Sequence, residues 1–138
     1  MKVMNPVLPG FNPDPSLVRV GDDYYIATST FEWFPGICIH HSKDLVNWEI
    51  LSYALTDETK FDIKGMDTAC GIWAPNLTYD NGTFYLIYTI VYTNRNRFKD
   101  THNFMVTASD PKGPWSDPIP LNKMGFDPSL FHDPDGTK

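Results

Sequence analysis

Two aspartates stand in the same short phrase of this chain. Asp14 opens Asp14-Pro15-Ser16-Leu17 and Asp127 opens Asp127-Pro128-Ser129-Leu130, while a third copy, Ala74-Pro75-Asn76-Leu77, carries alanine in their place. The repeated backbone therefore does not itself require a carboxylate; the proline and leucine read as structural and the aspartates as available for chemistry. Asp14 also lies between Pro13 and Pro15. Each proline fixes its own φ, and the second pushes Asp14 toward an extended backbone, so a stiffly held carboxylate is expected. A reacting group needs such placement, because small displacements cost rate steeply. Asp-Pro-Ser is by itself a good turn sequence, so the case for chemistry rests on the neighbours. Trp73 and Phe126 each stand one residue before the repeated position, and Phe31-Glu32-Trp33-Phe34-Pro35 puts three aromatics and one acid in an expected loop, the composition of a binding rim. Carboxylates beside flat aromatic faces suit a sugar: rings stack on its apolar face, and carboxylates accept hydroxyl protons or act on the glycosidic bond. Blade-to-blade packing is an equally good reading of Trp73 and Phe126. Within the aromatic loop Phe31 is the candidate to face a ligand, packing beneath the loop is open to Trp33 and Phe34, and Glu32 also reads as a solvated charge. His40, His41, His102 and His132 have no mutual metal spacing; no metal site and no cofactor are expected.

The elements that must position these residues are short strands. Leu17 to Val20, the turn at Gly21-Asp22-Asp23 and Tyr24 to Thr28 read as a hairpin; Leu77 to Tyr79, Asp80-Asn81-Gly82 and Thr83 to Tyr88 repeat it, with Asn-Gly the stronger turn signal. A third strand follows in each copy at Ile37–His41 and Phe104–Ala108, and a fourth at Glu49–Leu51 and Ile119–Leu121. Between them Ser42-Lys43-Asp44-Leu45-Val46-Asn47-Trp48 matches Ser109-Asp110-Pro111-Lys112-Gly113-Pro114-Trp115, read as a connecting turn capped by a packed tryptophan. Four strands per repeat make a propeller blade. The copies are spaced by about 60 and then about 53 residues, slightly long for that architecture, so long loops are expected at 29–35, 57–73 and 93–102. In a propeller the innermost strands line the axis, and equivalent positions near their starts converge on one mouth. The third copy reaches its turn at Asp133-Pro134-Asp135-Gly136 and lacks a return strand, which predicts an unpaired edge. The expectation is all-β: about two blades and the start of a third, the N-terminal part of a longer protein.

The 138 residues carry a formal net charge of −6, against the basic stripe that a nucleic-acid surface needs. Twelve prolines and nine glycines leave no helical run free of them. Met1 to Val7 lacks the apolar stretch of a secretory signal, and nothing approaches the length of a membrane span. A cytoplasmic protein with neither nucleic-acid nor membrane partners is the expectation. Cys38 and Cys70 stand without a CxxC pattern and read as buried free thiols.

The segment Asn5-Pro6-Val7-Leu8-Pro9-Gly10-Phe11-Asn12-Pro13-Asp14-Pro15-Ser16 resembles glycoside hydrolase family 43, most closely its β-xylosidases. The resemblance continues through Tyr24-Tyr25-Ile26, Ser42 to Trp48, Gly71-Ile72-Trp73-Ala74-Pro75 and Gly125-Phe126-Asp127-Pro128-Ser129, covering essentially the whole chain. It implies that residues 1–138 are the N-terminal part of a five-bladed β-propeller catalytic domain, usually followed by a β-sandwich. It further implies inverting hydrolysis, with Asp14 as the general base that activates water and Asp127 as the carboxylate that orients the general acid and keeps its pKa high. Phe31, Trp73, Ala74 and Phe126 match positions that line the sugar pocket. The implied general acid is a glutamate beyond Lys138, so the full-length parent is expected to release xylose from non-reducing ends of xylo-oligosaccharides and this fragment alone to be inactive. An α-L-arabinofuranosidase, a non-catalytic sugar-binding propeller and a structural or partner-binding fragment are the alternatives. A homo-oligomeric parent is left open.

Overall fold

The computed structural model describes residues 3–95 and 97–138; Met1 and Lys2, in the N-terminal stretch read above, and Asn96, in the expected loop at 93–102, lie outside them. Eight strands follow in chain order: β1 (Ser16–Val20), β2 (Asp23–Thr28), β3 (Gly36–Ser42), β4 (Glu49–Leu55), β5 (Gly71–Asp80), β6 (Thr83–Thr93), β7 (Asp100–Ala108) and β8 (Ile119–Asn122). They form two four-stranded antiparallel meanders, β1-β2-β3-β4 and β5-β6-β7-β8, the two blades the repeat predicts. No helix among the described residues is long and apolar enough to cross a membrane.

The turn chemistry sets both registers. Asn81 and Gly82 sit at φ 47° and 81° between the paired Asp80 and Thr83, the two positive values that a tight two-residue hairpin loop demands. Gly21, at φ 61°, follows Val20, which pairs with Asp23. With these loops fixed, alternate side chains of each strand face one side. Ala27, Ile37, Ile39, Ala54 and Leu55 of the first sheet bury against Ile72, Leu77, Phe84, Leu86, Tyr88, Ile90 and Val106 of the second, with Phe61 and Ile63 closing the edge from the loop between β4 and β5. Tyr25 meets Phe84 edge to face, with ring centroids 5.4 Å apart. A fully buried side chain such as Leu86 stabilises this seam by about 1.5–3 kcal/mol. Both cysteines are buried and free.

Polar bonds between copies fix the seam's alignment. The Leu77 N–H donates to Ser16 Oγ (2.9 Å), and the Leu130 N–H donates to Asn76 Oδ1 (2.9 Å). The serine or asparagine after each motif proline thus accepts the leucine amide of the next copy. The third copy is held along β5 by this bond, by His132 Nε2 lying 2.8 Å from Thr78 Oγ1 and by the Lys138–Asp80 ion pair at 2.8 Å. Its turn closes through Asp133 N–H to Thr137 O (2.9 Å).

Several sequence expectations shift. β4 extends to Leu55 rather than Leu51, β5 starts at Gly71 inside the loop expected at 57–73, and β6 runs to Thr93 and β7 starts at Asp100, both inside the loop expected at 93–102. The two connecting turns align one residue away from the expected match: Tyr24 pairs with Ser42 while the equivalent Phe84 pairs with Ala108, so Ser42 corresponds to Ala108 and Asp44 to Asp110. Both aspartates accept backbone amides two residues on, Val46 for Asp44 and Lys112 for Asp110, so the carboxylate sets the turn. The tryptophan then arrives by a different number of residues. Trp115 packs on the core, whereas Trp48 donates its indole N–H to Leu45 O.

Candidate active site

Asp14 and Asp127 share one unusual backbone conformation. Their φ values are 53° and 56°, in the left-handed region, whereas Ala74 lies inside β5 beside a register shift between Trp73 and Asn76. The expectation of an extended Asp14 is therefore corrected. A following proline presses against the right-handed helical region, and the short polar side chain of aspartate tolerates the left-handed one. Such a conformation costs about 1–3 kcal/mol and persists where its surroundings over-determine it. At Asp14 they do. The Ser29 N–H donates to Pro13 O (3.1 Å) and the Ser29 hydroxyl donates to Asp14 Oδ2 (2.5 Å) from a site 1% exposed.

The two carboxylates sense each other. Partial desolvation pushes the Asp127 carboxyl above the usual carboxylate range, and the nearby Asp14 carboxylate adds to the rise, since like charges disfavour a second ionisation. The rings that precede the second and third motif positions meet as well, Trp73 and Phe126 with centroids 5.4 Å apart, so these equivalent positions lie at one end of the two blades.

The aromatic residues line up beside them. Phe11 and Phe31 have ring centroids 5.9 Å apart, Phe31 and Trp73 6.4 Å, and Trp73 and Phe126 5.4 Å, the last pair edge to face at 81°. Phe31 is placed from both blades: its amide and carbonyl exchange 2.9 Å hydrogen bonds with Ile72 on β5. Gly71 permits that crossing. At φ 88°, a Cβ there would lie 2.2 Å from the Phe31 carbonyl oxygen. Trp73 is fixed by its indole N–H to Ala69 O (2.9 Å), and Glu32 Oε2 accepts the Ala69 N–H (3.2 Å), so Glu32 braces the same loop. Ala74 follows Trp73 on β5, half-buried. Trp33 points outward at 67% exposure, and Phe34 stacks on Phe61, so neither joins the row.

The structure therefore brings Asp14, Asp127, Phe31, Trp73, Ala74 and Phe126 to one end of the two blades. It adds three residues that sequence reasoning passed over. Phe11, 67% exposed, extends the aromatic row; Lys99 sets its ammonium 5.3 Å from the Phe126 ring centroid; and Ser29 holds Asp14. Phe11 stands only three residues before Asp14 in the motif, a visible signal; the partners of Lys99 and Ser29 are tertiary and left none. The histidines are dispersed. His40 is buried, which pushes its pKa down, and His41 lies between Asp23 (2.6 Å) and Glu49 (3.3 Å). Among the described residues no group of three or more His, Cys, Asp or Glu is placed to hold a metal ion.

Two meander sheets joined by bonds between equivalent motifs, with carboxylates and a row of aromatic rings gathered at the strand starts, define consecutive blades of a β-propeller. The family model for glycosyl hydrolases family 43 matches residues 3–138, and the chain belongs to that family. It is 59% identical over 137 residues to a xylosidase/arabinosidase 43B of Humicola insolens, covering 99% of this chain and 26% of that protein. With a β-xylosidase of Bacillus subtilis it shares 57% identity over 138 residues, covering 100% of this chain and 26% of that protein. The structure of a xylan β-1,4-xylosidase from Bacillus halodurans C-125 superposes with a TM-score of 0.95 at 64% identity, covering 98% of this chain and 26% of that one. The chain thus spans about a quarter of the length of these relatives.

Proposed function

We propose that these residues form the base-bearing side of the active site in an inverting β-xylosidase that releases xylose from the non-reducing ends of xylo-oligosaccharides. The observation that carries this reading is the row formed by Phe31, Trp73 and Phe126, with Asp127 directly after Phe126 and Asp14 near enough to push the Asp127 carboxyl further up. The rings supply flat apolar faces for a pyranose, with Ala74 the small neighbour of Trp73 in the pocket wall. Asp14 takes a proton from water, whose oxygen attacks the anomeric carbon on the face opposite the leaving group. The glycosidic C–O bond breaks as a general acid, supplied from outside these 138 residues, protonates the departing oxygen. A base and an acid separated by about 6.5–9.5 Å leave room for that water. Asp127 orients the acid, and its charge disfavours ionisation of that neighbour. A second reading, release of α-L-arabinofuranose by the same site, is favoured by the paired activities in the name of the Humicola insolens relative.

The test uses a chimera in which these residues replace the matching segment of the Bacillus subtilis β-xylosidase. Asp14→Asn keeps a side chain that tolerates positive φ and removes the base. Turnover of 4-nitrophenyl β-xyloside is expected to fall by about 10²–10⁴-fold, with the first-formed sugar of the parent chimera being α-xylose by NMR. Retained turnover in Asp14→Asn, or β-xylose as the first product, defeats the reading. The 138-residue chain alone is expected to show no turnover.

A further inference from the structure

The hydroxyl at the end of β2 is the feature that the proposed chemistry leaves unused. The two inner hairpins share one register: Ser16 pairs with Ala27 as Asn76 pairs with Ile87, so Ser29 and Thr89 occupy the same place two residues further along. Both are buried, at 1% and 0% exposure. Their targets differ. In the second blade, where Ala74 supplies no carboxylate, Thr89 pairs with Trp73 and its hydroxyl donates to Asn103 Oδ1 (2.6 Å); in the first, the Ser29 hydroxyl donates to Asp14 Oδ2 (2.5 Å), with Pro13 O a distant second acceptor at 3.4 Å.

We propose that Ser29 is a positioning residue for Asp14, clamping Oδ2 so that Oδ1 is presented to the attacking water; this rests on the reading of Asp14 as the base. The clamp acts at two points. The Ser29 amide fixes the carbonyl of Pro13, immediately before the left-handed Asp14, and the hydroxyl fixes the carboxylate beyond it. A hydroxyl bond to a carboxylate oxygen is among the stronger hydrogen bonds available to a side chain, and from a buried serine it restricts both side-chain torsions of the aspartate. Among the described residues, the hydrogen bond that the Asp14 carboxylate receives is this one, to Oδ2. Without it the carboxylate rotates about a backbone that still holds its place, so substrate binds and the proton transfer loses its geometry.

The experiment measures kcat and KM on 4-nitrophenyl β-xyloside in the chimera described above. Ser29→Ala is expected to lower kcat by about 10–100-fold with KM within about threefold, since a misplaced reacting group costs about that much. Ser29→Thr, which keeps the hydroxyl and is the residue that the second hairpin carries at this position, is expected to restore kcat to within about threefold of the parent. Should Ser29→Ala fail to fold by thermal melting, the near-isosteric Ser29→Cys replaces it, its weak S–H donor giving the same direction of loss. A kcat within threefold of the parent in the folded Ala or Cys variant overturns the assignment, and so does failure of Ser29→Thr to rescue. Asp14→Asn separates the two ideas: if it abolishes turnover while Ser29→Ala does not, the base stands and the clamp falls. If Asp14→Asn leaves turnover intact, both fall.

Discussion

The hairpins β1–β2 and β5–β6 correspond residue for residue at a constant offset, yet they begin differently. The first is entered through a left-handed aspartate tied to a buried serine; the second runs as a bulged strand through alanine, and its equivalent hydroxyl turns to Asn103. Asn103 passes that bond onward, donating to Asn122 Oδ1 (2.8 Å) and Met124 O (3.1 Å), and so holds the segment that leads to Phe126 and Asp127. One blade spends its hydroxyl on a carboxylate of its own, while the other uses it to place the approach to the next. A repeat can therefore keep its hydrogen-bonding position and change what that position serves, provided the residue opposite changes with it.

The largest effect should come from breaking the place where the first hairpin leans on the second. Gly71→Ala puts a Cβ against the Phe31 carbonyl at a φ of 88°, adding backbone strain to a clash that no side-chain rotation relieves. A loss of about 2–5 kcal/mol in urea denaturation is expected, and a loss under about 1 kcal/mol would show that the crossing is dispensable. Next comes the hydroxyl pair. Thr89→Val leaves Asn103 Oδ1 without its donor in a buried setting and should cost about 1–3 kcal/mol of stability, with a fall in kcat of the chimera well below that of Ser29→Ala. That pattern is the reverse of the one expected at Ser29, and a comparable fall in kcat for both variants would erase the distinction between the hairpins.

The smallest effect is electrostatic and belongs to the copies that carry aspartate. Because the Asp127 carboxyl titrates above its unfolded value, the native state holds more protons than the unfolded chain between the two pKa values. That contribution to stability is complete below the unfolded pKa of about 3.9 and is lost as pH rises through the folded value. Asp127→Asn removes the titration, so the Tm of the variant relative to the parent should be higher at pH 7 than at pH 3. Solvent screening at this open site keeps the difference small. A constant offset across that range would mean that neither burial nor the Asp14 carboxylate perturbs Asp127.

Much of this was legible in the residues. Asn81-Gly82 and the aromatic strands beside it announced the hairpins, and the recurrence of Pro-Ser/Asn-Leu announced the blades and brought Asp14 and Asp127 together. What escaped was set by tertiary contact. The pre-proline rule describes what an isolated chain prefers, and it gave Asp14 an extended backbone where Ser29 and Pro13 hold a left-handed one. The direction in which a buried hydroxyl donates depends on what stands across the sheet, which no local window contains. The turns align one residue away from the match of Ser42 with Ser109 because the carboxylates of Asp44 and Asp110, rather than the serines, organise them.

The bonds from Leu77 to Ser16 and from Leu130 to Asn76 run in one direction along the chain: the acceptor always belongs to the earlier copy and the amide to the later. During synthesis from the N-terminus, each repeat emerges to find the acceptor of this bond already made, so these two bonds form in the order of synthesis, whereas the Phe31 amide waits for Ile72 of the later blade.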